Sequence, residues 1–313
     1  MFLTFCRPLF YNYRERPNGW FNFLLKHLPF FSTAACLACF FIAMAAPSAL
    51  GAALKTPSVS GSGNRGFTLG FAYDLSHLEY NETGSSDNFL DEDIAYLSGI
   101  QADARYETGS IWARAVARYS HTGWARYYGS YQDGIPLSMY TVESICQYEG
   151  DLGYKLFNIS SSTITPYIGL GYRIWDRGVD ALPDYREKYT WNYGSAGIDY
   201  VLRLSNLTAG ADVALHIPFN MRMRTNLAGQ YDETTFYLRE RAGFALELPV
   251  TYEFYKYPAR PVFFIYVTPY YQYWPIDASD PAVMTRVSQV NILYEPDSRT
   301  DLFGARAGIG INY

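Results

Sequence analysis

The chain has 313 residues, 49% of them hydrophobic, and a formal net charge of −5. This composition excludes wholesale disorder, and the acidic balance argues against nucleic acid as a partner and against a polybasic membrane patch. Thirty Tyr and six Trp exceed what a soluble core usually hides with every hydroxyl and indole N–H satisfied, whereas membrane interfaces accept such side chains readily.

Residues 28–54 carry no charge, and the run Ala34–Ala46 has the length of a signal-peptide hydrophobic region, preceded by Arg7, Arg14, Arg16 and Lys26. Small residues follow, so residues 1–53 read as a signal peptide with a long N-region, cleaved after Gly51 or Ala53; a retained anchor is the alternative. Removing residues 1–51 leaves 21 Lys and Arg against 29 Asp and Glu, a net charge of −8. Cys146 is then the only cysteine, which excludes an intrachain disulfide. Residues 54–65 are polar and Gly/Ser-rich, the composition of a flexible periplasmic lead-in.

From Gly66 to Tyr313 ten segments alternate apolar and polar side chains with period two. In the first, Phe67, Leu69, Phe71, Tyr73 and Leu75 oppose a face that carries Asp74. The polar face holds Asp103 and Arg105 in the second, about 94–107, and Arg114 and Arg118 in the third. The fourth, about 139–156, sets Glu143, Glu149, Asp151 and Lys155 against Tyr140, Val142, Cys146, Tyr148, Leu152 and Tyr154. Arg173 is the inward charge of the fifth (164–175), Asp199 and Arg203 of the sixth (about 190–204), Asp212 and His216 of the seventh (207–219). The eighth, about 236–254, assigns Arg239, Arg241, Glu247 and Glu253 to the polar face, opposite Phe236, Leu238, Phe244 and Leu246. The ninth, 262–274, is apolar on both faces and its parity is ambiguous. The tenth, ending at Tyr313, places Arg306 among Gly304, Gly308, Gly310 and Asn312.

The connections alternate as well. Residues 107–110, 158–163, 205–206 and 255–261 are short turns, whereas 77–93, 120–138, 176–189, 220–235 and 275–301 read as long polar loops. Short turns on one side and long loops on the other describe a ten-stranded antiparallel up-and-down β-barrel of the outer membrane, its turns periplasmic and its loops extracellular. A soluble β-sandwich also alternates, but burying nine Asp or Glu and nine Lys or Arg in a dry core would need nearly every one paired. A membrane barrel puts them in its lumen and spares the lipid face about 2–4 kcal/mol for each Arg or Lys. The expected partners are therefore outer-membrane lipids and, through the strand ending at Tyr313, the barrel-assembly machinery; the sequence identifies no extracellular ligand.

Balanced lumen charge predicts a plugged interior with no large pore. Catalytic candidates are few: Asp74 with His77 and His121, near the outer ends of strands one and three, form the only set the sequence offers. His216, four residues from Asp212, reads as a structural hydrogen-bonded pair. Asp91-Glu92-Asp93 lacks the Gly-centred spacing of a calcium loop, so no metal and no cofactor is expected. Trp124–Tyr131 is either a stacking surface or an aromatic girdle.

Ile164–Trp175, Tyr270–Ile276 and Glu295–Tyr313 resemble uncharacterised bacterial outer-membrane β-barrel proteins of the ten-strand, omptin-like size. The resemblance implies the fold and leaves the activity open. Omptin proteases carry an Asp/His dyad and an acidic pair at the extracellular rim; the segment from Asn220 to Asn226 contains no histidine, and the set is not matched here. A lipid A deacylase likeness fails on the last strand, which has neither Ser nor His on its lipid face. The expectation is a barrel, more a binding protein than an enzyme, with an omptin-like surface hydrolase or a narrow solute channel as alternatives.

Overall fold

The computed structural model describes residues 65–84, 89–130, 135–159, 161–179, 182–227, 231–255, 261–286 and 289–313. The segment expected to be a signal peptide, 1–53, and all but the last residue of the expected lead-in over 54–65 lie outside the described residues.

Ten antiparallel strands close into a barrel: β1 (Arg65–Thr83), β2 (Phe89–Thr108), β3 (Ile111–Ser130), β4 (Pro136–Tyr154), β5 (Ser162–Val179), β6 (Leu182–Leu204), β7 (Leu207–Thr225), β8, β9 (Val262–Asp277) and β10 (Asp297–Asn312). Strand β8 runs in four pieces, Thr234–Tyr237, Arg239–Glu240, Gly243–Glu247 and Val250–Tyr255. The last break contains Pro249, which has no N–H to give a ladder. The ring closes where β1 pairs with β10, from Thr68↔Asn312 to Thr83↔Asp297, so no edge is left to meet lipid. Tight turns join the strands at one end, with Gly109 and Ser205 in the left-handed region at φ 60 and 57.

The outward face carries a continuous apolar belt. Leu69, Phe71, Tyr73 and Leu75 on β1, Ile168 and Leu170 on β5, and Val213, Leu215 and Ile217 on β7 are all exposed there. Above it the outward residues turn polar: His77, Glu79 and Asn81 follow Leu75, and Arg222 and Arg224 follow Phe219. The period of two does not stop at this boundary.

That continuity corrects the reading of the long connections. Most of 77–93, 120–138, 176–189 and 220–235 is strand, and 275–301 holds the end of β9, the start of β10 and a hairpin of Ala282–Arg286 with Gln289–Leu293. The barrel wall thus rises beyond the lipid belt, where both faces lose the apolar signal that marks a membrane strand. Trp124 and Tyr128 point outward from β3 within this extension, while Ala125 is buried.

Parity switches in two places. On β3 the buried residues run Ser120, Thr122 and then Ala125, because Gly123 and Trp124 oppose the single residue Val142 of β4. On β7 the inward residues are Asp212, Ala214 and His216, but above them Met221, Met223 and Thr225. One extra residue separates the pairs Asn192↔Phe219 and Thr190↔Arg222, and Asn220 takes a left-handed φ of 57 to accommodate it. The next strand follows the switch, with Phe236 and Leu238 buried above and Gly243, Ala245 and Glu247 inward below. Arg239 and Arg241, expected in the lumen, therefore sit on the outer face, their side chains 68% and 58% exposed, paired with Asp280 and Asp277. Strand β9, ambiguous from sequence, turns Thr268, Tyr270, Gln272 and Trp274 inward, which explains its double apolar character.

Candidate functional site

The lumen is built in layers. Nearest the turns, Arg105 lies between Glu107 (2.8 Å) and Asp199 (3.2 Å) and stacks over Trp112 at 4.4 Å, while Lys155 reaches Glu107 at 2.6 Å. Arg203 stays exposed at this mouth and donates to Thr163, and Glu253 lies at the same end, in the last piece of β8. Asp103 accepts from Tyr266 at 3.3 Å. Next, Arg114 joins Asp151 (2.9 Å) to Asp212 (3.4 Å), and Asp212 also accepts from the Tyr167 hydroxyl at 2.5 Å.

At mid-height Glu247 takes Arg118 at 2.9 Å and Arg306 at 2.7 Å, and the Gln101 carbonyl accepts from both arginines. Asp74 accepts from Ser120 (3.1 Å) and Tyr270 (3.0 Å). Arg173, 1% exposed, has amide oxygens rather than a carboxylate as partners: Gln147 and Gln272, each at 3.1 Å, with Trp191 and Trp274 packed on its guanidinium. Glu149 accepts from Tyr193 at 3.0 Å. A cavity of about 20 Å³ between Asp74, Arg173 and Arg306 has room for roughly one water molecule.

The upper interior differs from the wet lumen expected. Leu78, Leu97, Trp175, Met221, Phe236 and Trp274 belong to a dry core that fills the extension. Within it Arg177 meets Asp93 (2.7 Å), Glu187 (3.1 Å), Glu143 (3.7 Å) and Glu82 (3.8 Å), and lies over the Tyr80 ring at 4.2 Å. Glu143 also accepts from the Trp175 indole at 2.6 Å, Asp91 from Tyr127 at 3.1 Å, and Glu295 from Tyr189 at 2.5 Å. Four carboxyl groups thus lie within 4 Å of one guanidinium in a chamber above the lipid belt, with Asp91 and Glu295 in its wider field.

Burial, reinforced by these neighbours, moves the carboxyls. Burial and then the charge of Glu187 push Glu295 up to about 8. Burial pushes Asp91 up to about 6 although Arg177 pulls the other way. Burial, with Asp91 and Glu295 adding to it, holds Glu82 well above the ordinary range.

The structure does not bring Asp74, His77 and His121 together. Asp74 faces the lumen, whereas His77 points outward against Tyr96 and Phe303, centroids 4.7 Å from each, and pairs with Glu79 at 3.5 Å. His121, next to inward Ser120, lies on the same outer face. His216 stacks on Trp274 at 4.7 Å, and its expected partner Asp212 is taken by Tyr167 and Arg114. Among the described residues no group of three or more His, Cys, Asp or Glu has the geometry of a metal site. The sequence reading missed Arg177, Glu187 and Glu295 because they fell in segments taken as loops. The continuing period was the available signal: Arg177 shares parity with Arg173, Glu187 with Asp199, and Asp91 and Asp93 with Asp103.

No family model and no curated protein sequence matches this chain. Solved structures do. The outer membrane protease OmpT of Escherichia coli superposes with a TM-score of 0.56 at 8% identity, covering 82% of this chain and 98% of OmpT. The translocator domain of the autotransporter NalP of Neisseria meningitidis gives 0.40 at 9% identity over 89% and 96% of the two chains, and Ail of Yersinia pestis 0.31 at 8% over 80% and 99%. At these identities the OmpT likeness speaks for the fold alone. Closed barrel, lipid-facing belt and charged interior together make the chain an integral outer-membrane β-barrel.

Proposed function

We propose that this protein is a non-conducting outer-membrane barrel that works as a binding protein through its extracellular extension. The observation that carries this is the filled interior, in which charged layers and an aromatic core surround, among the described residues, a cavity of about 20 Å³ beside Arg173 at mid-lumen. A solute path would have to break several buried ion pairs at once, each costly to open without a replacement partner. The surface of the extension supports the second half. Trp124 is 72% and Ile292 70% exposed, and Tyr96, Tyr237, Val283 and Val290 add large apolar area where water rather than lipid faces them. The separation of Asp74 from His77 and His121 removes the reason to place hydrolysis at that set. Export by a signal peptide over 1–53, and insertion by the assembly machinery acting on the strand that ends at Tyr313, are part of the same reading.

The test has two arms. Refolded protein in planar bilayers should give no stable single-channel steps, and stable steps of porin size would overturn the closed reading. Cells displaying the protein should adhere to members of a panel of immobilised matrix proteins and glycans, and Trp124→Ser with Ile292→Ser should lose that adhesion while the barrel stays heat-modifiable. Adhesion no greater than that of cells lacking the protein, across the panel, would defeat the binding reading.

A further inference from the structure

Just above the lipid belt the barrel wall is broken by the bulge in β7. Asn220 and Met221 oppose the single residue Trp191 of β6, and a bulge of this kind interrupts the ladder and re-aims the neighbouring side chains. The gap opens a cavity of about 190 Å³ on the outer wall, lined by Tyr172, Thr190, Trp191, Asn192, Asn220 and Arg222. The lining is rich in donors, an Arg guanidinium, two primary amides and two hydroxyls, and contains no carboxylate. Glu240 lies at its edge and accepts from the backbone N–H of Asn220 at 2.9 Å.

Height and charge narrow the occupant. Directly below lie exposed Ile168, Leu170, Ile217 and Phe219, side chains that suit acyl chains. Beside the pocket, Lys188 is the diagonal cross-strand neighbour of Arg222, a relation that puts such residues about 7–8 Å apart. Lys188 stands directly opposite Asp176 in the ladder, whereas Arg222 makes no ion pair among the described residues and lies over the Tyr237 ring at 5.6 Å. An arginine without an ion pair, set above an apolar wall with amides beside it, matches an anionic headgroup carried on a hydrocarbon tail.

We propose that this pocket seats the phosphate group of an outer-leaflet amphiphile, with Arg222 as the bidentate anchor, Lys188 as a second charge and the tail lying along Tyr172 and Phe219. A guanidinium fork matches phosphate oxygens in geometry as well as charge, and the side-chain amides of Asn192 and Asn220 and the Thr190 hydroxyl add donors beside it.

The experiment uses the full chain refolded in a neutral sugar detergent and follows bound dodecyl phosphate by native mass spectrometry and equilibrium dialysis, with inorganic phosphate as competitor. One saturable equivalent should bind. Arg222→Gln should weaken it about tenfold or more, in line with loss of a charge-assisted hydrogen bond, and Lys188→Gln severalfold. Arg299→Gln, an exposed arginine elsewhere on the outer face, should leave binding unchanged. Asn220→Asp keeps a residue tolerant of the left-handed backbone while adding a repelling carboxylate, and should abolish binding even if Arg222→Gln misfolds. Competition by inorganic phosphate as effective as that by the amphiphile would reassign the pocket to free anions. Unsaturable uptake, or equal binding by wild type and both pocket variants, would overturn it.

Discussion

Glu247 holds two guanidinium groups at once, and its side chain is only 14% exposed. Glu247→Gln keeps the shape and one acceptor but removes the charge, leaving Arg118 and Arg306 in the lumen without it. Stranding buried cations in this way costs about 3–5 kcal/mol, whereas Arg239→Gln, which breaks an exposed pair with Asp280, should cost no more than about 1 kcal/mol. Urea midpoints of refolded protein in vesicles measure both; a Glu247→Gln loss as small as that of Arg239→Gln would mean the two arginines find other partners. Residue identity alone did not separate these cases. Arg239 and Arg306 look alike in the sequence, each one step from an apolar neighbour, and only the ladder decides which faces the lumen.

At the scale of the element, the seam between β1 and β10 is unusually close at Gly304. A Cβ there would lie 2.3 Å from the Leu75 carbonyl oxygen and 2.8 Å from Ser76 Cα, and backbone in a ladder cannot yield as a side-chain tip can. Gly304→Ala should destabilise by about 1–3 kcal/mol, the usual cost of overpacking, and increase the fraction that fails to run as a compact heat-modifiable band. A neutral result would show that the seam can open slightly without penalty. Strands were legible from their period wherever one face met lipid, as in β1 and β4. They were lost above the belt, since a strand with Glu79 and Asn81 outside and water beyond has the composition of a loop. In β8 the period itself misled: Phe236 and Leu238 continue the phase of Phe244 and Leu246 in the sequence, yet the interruption at Arg241-Ala242, matched to the bulge at Asn220, puts them on opposite faces. A single inserted residue on a neighbouring strand leaves no mark in the strand that must follow it.

For the molecule as a whole, the chamber around Arg177 makes stability depend on pH in the sense opposite to that of ordinary paired carboxylates. Glu295 titrates near 4.5 when unfolded and near 8 when folded, and Asp91 near 3.8 and near 6. Between those limits the folded state holds protons that the unfolded state has released, so stability is present at low pH and is lost as pH rises through the folded values. Hydrogen exchange, corrected for intrinsic rates, should show segments 89–95 and 291–297 better protected at pH 5 than at pH 8. Glu295→Gln should flatten that difference, and greater protection at pH 8 would contradict it. The closing ladder bears on how such a molecule comes to exist. Thr68 meets Asn312 across nearly the whole described sequence, so the seam is the contact of greatest loop length and forms after the local hairpins have joined. Arg306 arrives on that final strand, while the groups that receive it, Gln101 and Glu247, wait on strands on either side. Across the seam Arg306 hydrogen-bonds to the amide of Gln101, whereas its ion pair is with Glu247 on β8, joined to it through β9 and the C-terminal hairpins. The half-barrel of C-terminal strands thus carries its own charge balance to the seam, and closure adds to Arg306 an amide acceptor rather than an ion pair.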